Sequence, residues 1–167
     1  MNTSESSGAC FRGRTEAAGA GGGSGSGRGI ACHSMRGSHI AIIVTARTGA
    51  TGVRVERIHA MADCGRLINP DLARQQIEGG IVFGLAQALG AVTDFESGMP
   101  TARRLRDIDL PKLVDVPDIT VEFVRNDAAP GGVTELGVPA VAPAIANALF
   151  SASGIRLREL PLLSKGL

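Results

Sequence analysis

The sequence predicts an α+β fold, and three observations predict it. Two short apolar or alternating runs flank a glycine-bearing loop. A longer stretch carries apolar residues at intervals of four behind a helix-start signature. A further alternating run then precedes a helix of small residues. The predicted order is β-β-α-β-α, and these elements offer more apolar surface than they can bury among themselves. At 167 residues the chain suffices for one ordinary domain if all of it folds.

The elements follow from local chemistry. Residues 1–29, MNTSESSGACFRGRTEAAGAGGGSGSGRG, are rich in Gly, Ser and Arg, with Phe11 the only large apolar residue after Met1. Such a stretch cannot offset its ordering entropy by burial, so it is predicted to be disordered, with the folded part spanning residues 30–167. Ile40–Thr45 (IAIIVT) is apolar and β-branched, and Val53–Ile58 (VRVERI) alternates; ARTGATG between them predicts a hairpin with a loop of several residues. Pairing should continue through HAMADCGRL and end near Gly65. Next, Asn69 is a good N-cap, Pro70 fits the first helical position and Asp71 suits the positive helix end. Ala73, Ile77, Ile81, Leu85 and Leu89 then form the stripe of a largely buried helix that Gly90 can close. DFESGMP is a turn and LPKLVDVPD an extended connection. In Ile119–Val124, Ile119, Val121 and Phe123 should face inward. RNDAAPGG is a loop, and Pro139–Ala152 a small-residue helix that tolerates Pro143 in its first turn and stops at Gly154.

Composition excludes several function classes. A net charge of +1 with mixed signs gives no footprint for nucleic acid, and the absence of Trp and Tyr removes their base-stacking platforms. No apolar run approaches the ~20 residues of a membrane span. Cys10, Cys32 and Cys64 are odd in number and widely spaced, which argues against a disulfide framework or an iron–sulfur site within the chain. The predicted compartment is the cytoplasm, or the periplasm if an export signal stood upstream. No GxGxxG follows a strand, and no Walker-type loop occurs. Cys32, His33 and His39 can be imagined as metal ligands, since His33 and His39 share parity on an extended segment; the simpler reading is of histidines beside a strand.

Two segments carry sharper signals. Gly79, Gly80 and Gly84 lie inside the first helix, where each costs roughly 1 kcal/mol against Ala. A helix keeps them only where another backbone or a ligand comes very close. Gln76 precedes the glycines and can both donate to and accept from a flat heterocycle; a solvated face is the alternative. In VTELGVPA, Glu135 stands between a Gly-Gly turn and a helix start, where the dipole favours its ionised form and apolar neighbours would raise its basicity. That is the setting of a general base, and a helix-capping glutamate is the competing reading.

DCGRLINPDLARQQIEGGIVFGL followed by PGGVTELGVPAVAPAIANALF resembles the C-terminal part of the molybdenum-binding subunit of the xanthine dehydrogenase/aldehyde oxidase family. The branch it looks most like is that of the isoquinoline 1-oxidoreductase β subunit and its aldehyde dehydrogenase relatives. GRGIACHSMRGSHIA and LPKLVDVPDITVEFV match in order and spacing, so the resemblance runs from about Gly27 to Leu162. It implies hydroxylation of an N-heterocycle or aldehyde with water as oxygen source. It also implies a molybdopterin cofactor, in the molybdenum cytosine dinucleotide form. The implied partners are the remaining molybdopterin-binding polypeptide and a small [2Fe-2S] subunit, whose iron–sulfur clusters take the electrons. By position, Gln76, Gly79, Gly80 and Thr134 would meet the cofactor, and Glu135 would be the base that deprotonates the molybdenum-bound hydroxyl; no residue of this chain is a metal ligand. The family's G-E-P is T-E-L here, so Thr134 adds a β-branched side chain and Leu136 removes a rigid turn residue. The usual aromatic is missing from MRGSHIA, and the family's glycine-rich MGQG-type loop has no counterpart. The alternative is a truncated, non-catalytic remnant or assembly module that binds no cofactor.

Overall fold

The computed structural model describes residues 25–49 and 52–162. Its first element departs from the sequence reading. Strand β1 spans Ser26–Met35 and pairs antiparallel with β2, Ser38–Gly49, so the folded part begins before Ile30 and includes Ser26–Gly29; residues 1–24 lie outside the described residues. The reason is tertiary. Gly27 and Gly29 lie directly beneath the C-terminal helix: a Cβ at Gly29 would stand 2.1 Å from the Ala144 carbonyl oxygen and 2.2 Å from the Ala148 nitrogen. The glycines permit that approach, and no linker role is needed to explain them.

β2 pairs antiparallel with β3, Gly52–Asp63. The hairpin is tighter than predicted, because Ala46–Gly49 belong to β2 and Gly49 pairs with Gly52; a register shift at Thr45/Ala46 absorbs the difference. β3 stops just before Cys64 and Gly65, as expected, with Gly65 at φ +67°. Helix α1 spans Pro70–Leu89. The Asn69 carboxamide accepts from the Leu72 N–H at 3.1 Å, and the Gly90 N–H donates back to Ala86 at 3.1 Å. Its predicted stripe is the buried one: Ile77, Ile81 and Leu85 are fully buried.

DFESGMP folds as the two-residue strands β4 (Phe95–Glu96) and β5 (Met99–Pro100), joined by Ser97 and Gly98 at positive φ. The connection read as extended, LPKLVDVPD, contains a single 3₁₀ turn at Leu113–Asp115, and a second such turn, Leu105–Asp107, precedes it; Asp115 accepts from the Lys112 N–H, and Asp107 from the Arg103 and Arg104 N–H groups. β6, Asp118–Phe123, then pairs parallel with β3, so β3-α1-β6 is a crossover unit and the main sheet runs β1-β2-β3-β6. α2 spans Val141–Ser153, with Gly154 as its left-handed C-cap at φ +76°.

One core lies between the sheet and both helices. Ile42, Val44, Ile58, Ala60 and Val121 share it with Ile77, Ile81, Leu85, Ile145 and Leu149. The expected excess of apolar surface is present too: Ile68, Leu72 and Phe83 on and before α1, and Leu105, Leu113 and Val114 in the connection, are exposed. No helix among the described residues is long and apolar enough to cross a membrane.

Candidate functional site

The turns leaving the parallel strands β3 and β6 emerge at one end of the sheet, beside the β1–β2 turn. The loop from β6 to α2 carries Thr134 and Glu135, and the chain binds it down along most of its length. Val124 N–H donates to the Ala62 carbonyl at 2.9 Å, and Arg66 N–H donates to the Ala128 carbonyl at 3.0 Å. Gly131 N–H reaches the Cys64 carbonyl at 2.9 Å, and Gly132 N–H the Arg36 carbonyl at 3.1 Å. The Asp63 carboxylate accepts from the Asn126 carboxamide and from the Gly65 N–H, joining the end of β3 to the loop. Nothing in the sequence reading marked Asp63 or Asn126, because their pairing depends on the parallel placement of β3 and β6.

The PGG turn has no room for side chains on its first glycine: a Cβ at Gly131 would lie 2.2 Å from the Ser38 hydroxyl oxygen. Beneath it Cys64 is buried, and burial pushes its thiol above the ordinary range, with the Asp63 charge adding to the rise and the Ser38 hydroxyl opposing it. On the far side of Glu135 the loop is fixed by packing. Leu136 is fully buried, and Gly137 lies against α1, where a Cβ would sit 2.6 Å from the Ile77 carbonyl oxygen. Thr134 and Glu135, between these two fixed points, are exposed.

This geometry answers the competing reading of Glu135. The N-cap of α2 is Ala140, without a side-chain cap hydrogen bond, and Glu135 precedes it by a separate turn in which its carbonyl accepts from Val138 N–H at 3.1 Å. Glu135 is therefore not the capping residue of that helix. The described residues form no apolar enclosure around Glu135, whose side chain is exposed. Leu136 also has a role that the turn comparison missed: it plugs the loop into the core.

The helix glycines divide. Gly84 and Gly80 meet the chain's own loop: a Cβ at Gly84 would lie 2.7 Å from the Val138 carbonyl oxygen, and one at Gly80 would be 3.5 Å from Gly137 Cα. A Cβ at Gly79 would meet nothing within 4 Å. Gln76 is exposed and stands one turn before Gly80 on the same flank. The structure thus brings Gln76 and Gly80 to the flank of α1 on which the Glu135 loop rests, whereas Gly79 faces open space beside exposed Leu72 and Phe83.

The imagined cluster of Cys32, His33 and His39 does not form. His33 pairs with Ile40 and His39 with Ser34, which puts the two imidazoles on opposite faces of the sheet. His39 Nδ1 instead shares a 2.7 Å hydrogen bond with the Ser34 hydroxyl, and no group of three potential metal ligands exists among the described residues. The parity argument failed because a turn at Arg36–Gly37 separates the two residues.

Comparison with known proteins places this architecture. A family model described as molybdopterin cofactor-binding domain matches residues 15–117, which include Gln76, Gly79 and Gly80 but end before Thr134 and Glu135. The chain is 36% identical over 114 residues to a membrane-bound aldehyde dehydrogenase (pyrroloquinoline-quinone) of Gluconacetobacter polyoxogenes, covering 68% of this chain and 15% of that protein. It is 32% identical over 136 residues to isoquinoline 1-oxidoreductase subunit beta of Brevundimonas diminuta, covering 80% of this chain and 17% of that one. Among solved structures it is similar to the aldehyde oxidoreductase from Desulfovibrio gigas, with TM-score 0.64, 26% identity and coverage of 75% and 14%. Quinoline 2-oxidoreductase from Pseudomonas putida 86 gives TM-score 0.60, 28% identity and coverage of 75% and 17%. The chain spans only about a sixth of the length of the relatives it matches.

Proposed function

Because the chain belongs to the molybdopterin cofactor-binding domain family, we propose that it forms one wall of a molybdenum hydroxylase site acting on an N-heterocycle or an aldehyde. The observation that carries this reading is the presentation of Glu135: an exposed carboxylate on a loop fixed on both sides, resting on the helix flank that carries Gln76. A carboxylate with no capping bond to α2, on a backbone anchored this firmly, is suited to accept a proton at a set position.

The residues present fit a pterin-bearing cofactor. Gly79 leaves open space on an exposed helix face, and the neighbouring Gln76 offers both donors and an acceptor to a flat heterocycle. Gln76 and Gly79 would hold the cofactor, with Thr134 exposed beside Glu135 as a further contact. Gly80 contributes by seating the loop. When bound, a molybdopterin supplies two-electron oxidation of the substrate carbon with water as the oxygen source. The role of Glu135 is to take up the proton released in that step, and that of Leu136 and Gly137 is to keep its carboxylate in place. The cofactor is read as the cytosine dinucleotide form, and the compartment as the cytoplasm. The partners are read as the remaining molybdopterin-binding polypeptide and a small [2Fe-2S] subunit.

The test is molybdenum content, by mass spectrometry, of the chain purified gently with its partners, for wild type and Glu135→Gln. Stoichiometric metal in both, with turnover lost only in the variant, supports the assignment. Wild-type turnover in the variant would remove Glu135 from the chemistry. Absence of both metal and partner would favour the non-catalytic module.

A further inference from the structure

The β1–β2 connection is a tight turn made by Arg36 and Gly37, since Met35 pairs with Ser38. Both of its central residues lie at positive φ, Arg36 at 47° and Gly37 at 77°. Glycine and asparagine are what such a turn favours, because other side chains crowd the backbone in the left-handed region. Gly37 fits this rule and Arg36 breaks it. Among the described residues only Ser97, at the tip of the β4–β5 hairpin, also takes this conformation without being glycine. A residue kept in an unfavourable conformation needs a reason in its side chain or its surroundings.

The surroundings do not call for arginine. The Arg36 carbonyl accepts from the Gly132 N–H at 3.1 Å, a tether that glycine at position 36 would supply equally well. The side chain is therefore the feature to explain. Its stem crosses the loop at Gly132, where a Cβ would lie 3.2 Å from Arg36 Cβ and 3.4 Å from its Cδ. Gly132 is outside the left-handed region, so its missing side chain makes room for that stem. Thr134 and Glu135, both exposed, follow directly after Val133. The guanidinium has no carboxylate partner among the described residues, Glu135 included, which it shares with most arginines of the chain. What distinguishes Arg36 is a strained backbone that presents it, exposed, against the Glu135 loop.

A guanidinium grips a carboxylate through two parallel N–H groups and also stacks on flat rings. A substrate bearing its own carboxylate would be repelled by Glu135 unless a cation stood beside the loop. We propose that Arg36 is a specificity-determining residue that binds a carboxylate substituent on the aldehyde or N-heterocycle oxidised beside Glu135. This substrate class rests on the reading of Glu135 as proton acceptor, and the two are tested separately.

Steady-state kinetics of the chain assembled with its partners compare matched pairs: benzaldehyde with para-formylbenzoate, and isonicotinamide with isonicotinate. Wild type should favour the charged member of a pair. In Arg36→Gln the ratio of kcat/KM values within the pair should fall by about tenfold or more, chiefly through KM. Arg36→Lys should recover part of the preference, and the exposed control Arg54→Gln should keep it. NMR of the full chain reads the same contact without turnover. Isonicotinate at millimolar concentration should move the signals of the Arg36 Nε–H and the Gly132 to Glu135 amides, and isonicotinamide should not. Arg36→Gly relieves the turn, so it should unfold at a temperature no lower than wild type while losing the preference. An unchanged ratio in Arg36→Gln, or no shift with isonicotinate, would overturn the proposal. A lower unfolding temperature in Arg36→Gly would overturn it too, by making the arginine a packing residue of the turn. Turnover and preference both retained in Glu135→Gln would instead remove Glu135 from the chemistry and leave Arg36 in its role.

Discussion

Gly29→Ala is the substitution on which the architecture turns. In the folded chain the new methyl would stand 2.1 Å from the Ala144 carbonyl oxygen, 2.2 Å from the Ala148 nitrogen and 2.7 Å from the Asn147 carbonyl carbon. All three are backbone atoms of α2, so no side chain can rotate away. Ordinary contact needs about 3.5 Å, so α2 must lift by roughly 1.4 Å along its central turns. Ala144, Ile145, Ala148 and Leu149, all fully buried, would lose contact with the sheet together. Overpacking of a core costs about 1–3 kcal/mol where neighbours can adjust; here a whole helix must shift, so about 3 kcal/mol or more is expected. Urea unfolding read by circular dichroism measures it. With a slope of about 2 kcal/mol/M, the midpoint should fall by roughly 1.5 M, and the thermal midpoint by about 6–12 °C. A midpoint unchanged within 0.3 M would refute the close β1–α2 packing and return Ser26–Gly29 to the linker.

Three further outcomes follow from neighbouring observations. Gly79→Ala adds a methyl into open space within a helix and should raise stability by about 0.5–1 kcal/mol; a simultaneous drop in molybdenum content of the assembled protein would identify Gly79 as a cofactor contact, and unchanged content would remove that role. Leu136→Ala, at a fully buried plug, should cost about 2–5 kcal/mol and speed amide exchange at Thr134 and Glu135, which mass spectrometry of the exchanged loop can measure; protection equal to wild type would show that Leu136 does not hold the loop. Burial raises the Cys64 thiol above its ordinary value of 9.0, so the folded state retains this proton to higher pH than the unfolded chain. Its contribution is complete below about pH 8.5 and is lost as pH rises toward the folded-state value. Urea midpoints between pH 8 and 10 should fall more steeply for wild type than for Cys64→Ala, and parallel slopes would contradict this.

What the sequence determined by itself was local. Asn69, Pro70 and Gly90 bound α1 because capping and φ preferences act within a few residues. Alternation placed Val121 in the core, and Gly154 closed α2, for the same reason. Glu135 and Gln76 were visible as odd residues in small-residue surroundings, and the resemblance of their segments pointed to the family that the comparison then showed. What lay beyond reach was every feature set by residues far apart in the chain. The glycines of β1 looked like linker because their purpose is a helix more than a hundred residues later. Gly80 and Gly84 demanded a close neighbour, but only the fold revealed that neighbour to be the Glu135 loop itself. The parallel pairing of β3 with β6 decided the rest, since it brings Asp63 to Asn126 and gathers Arg66, Arg74 and Arg125 around one cleft. Local propensities fix where elements start and stop; which of their ends meet is decided by the burial of apolar faces that no single segment can cover alone.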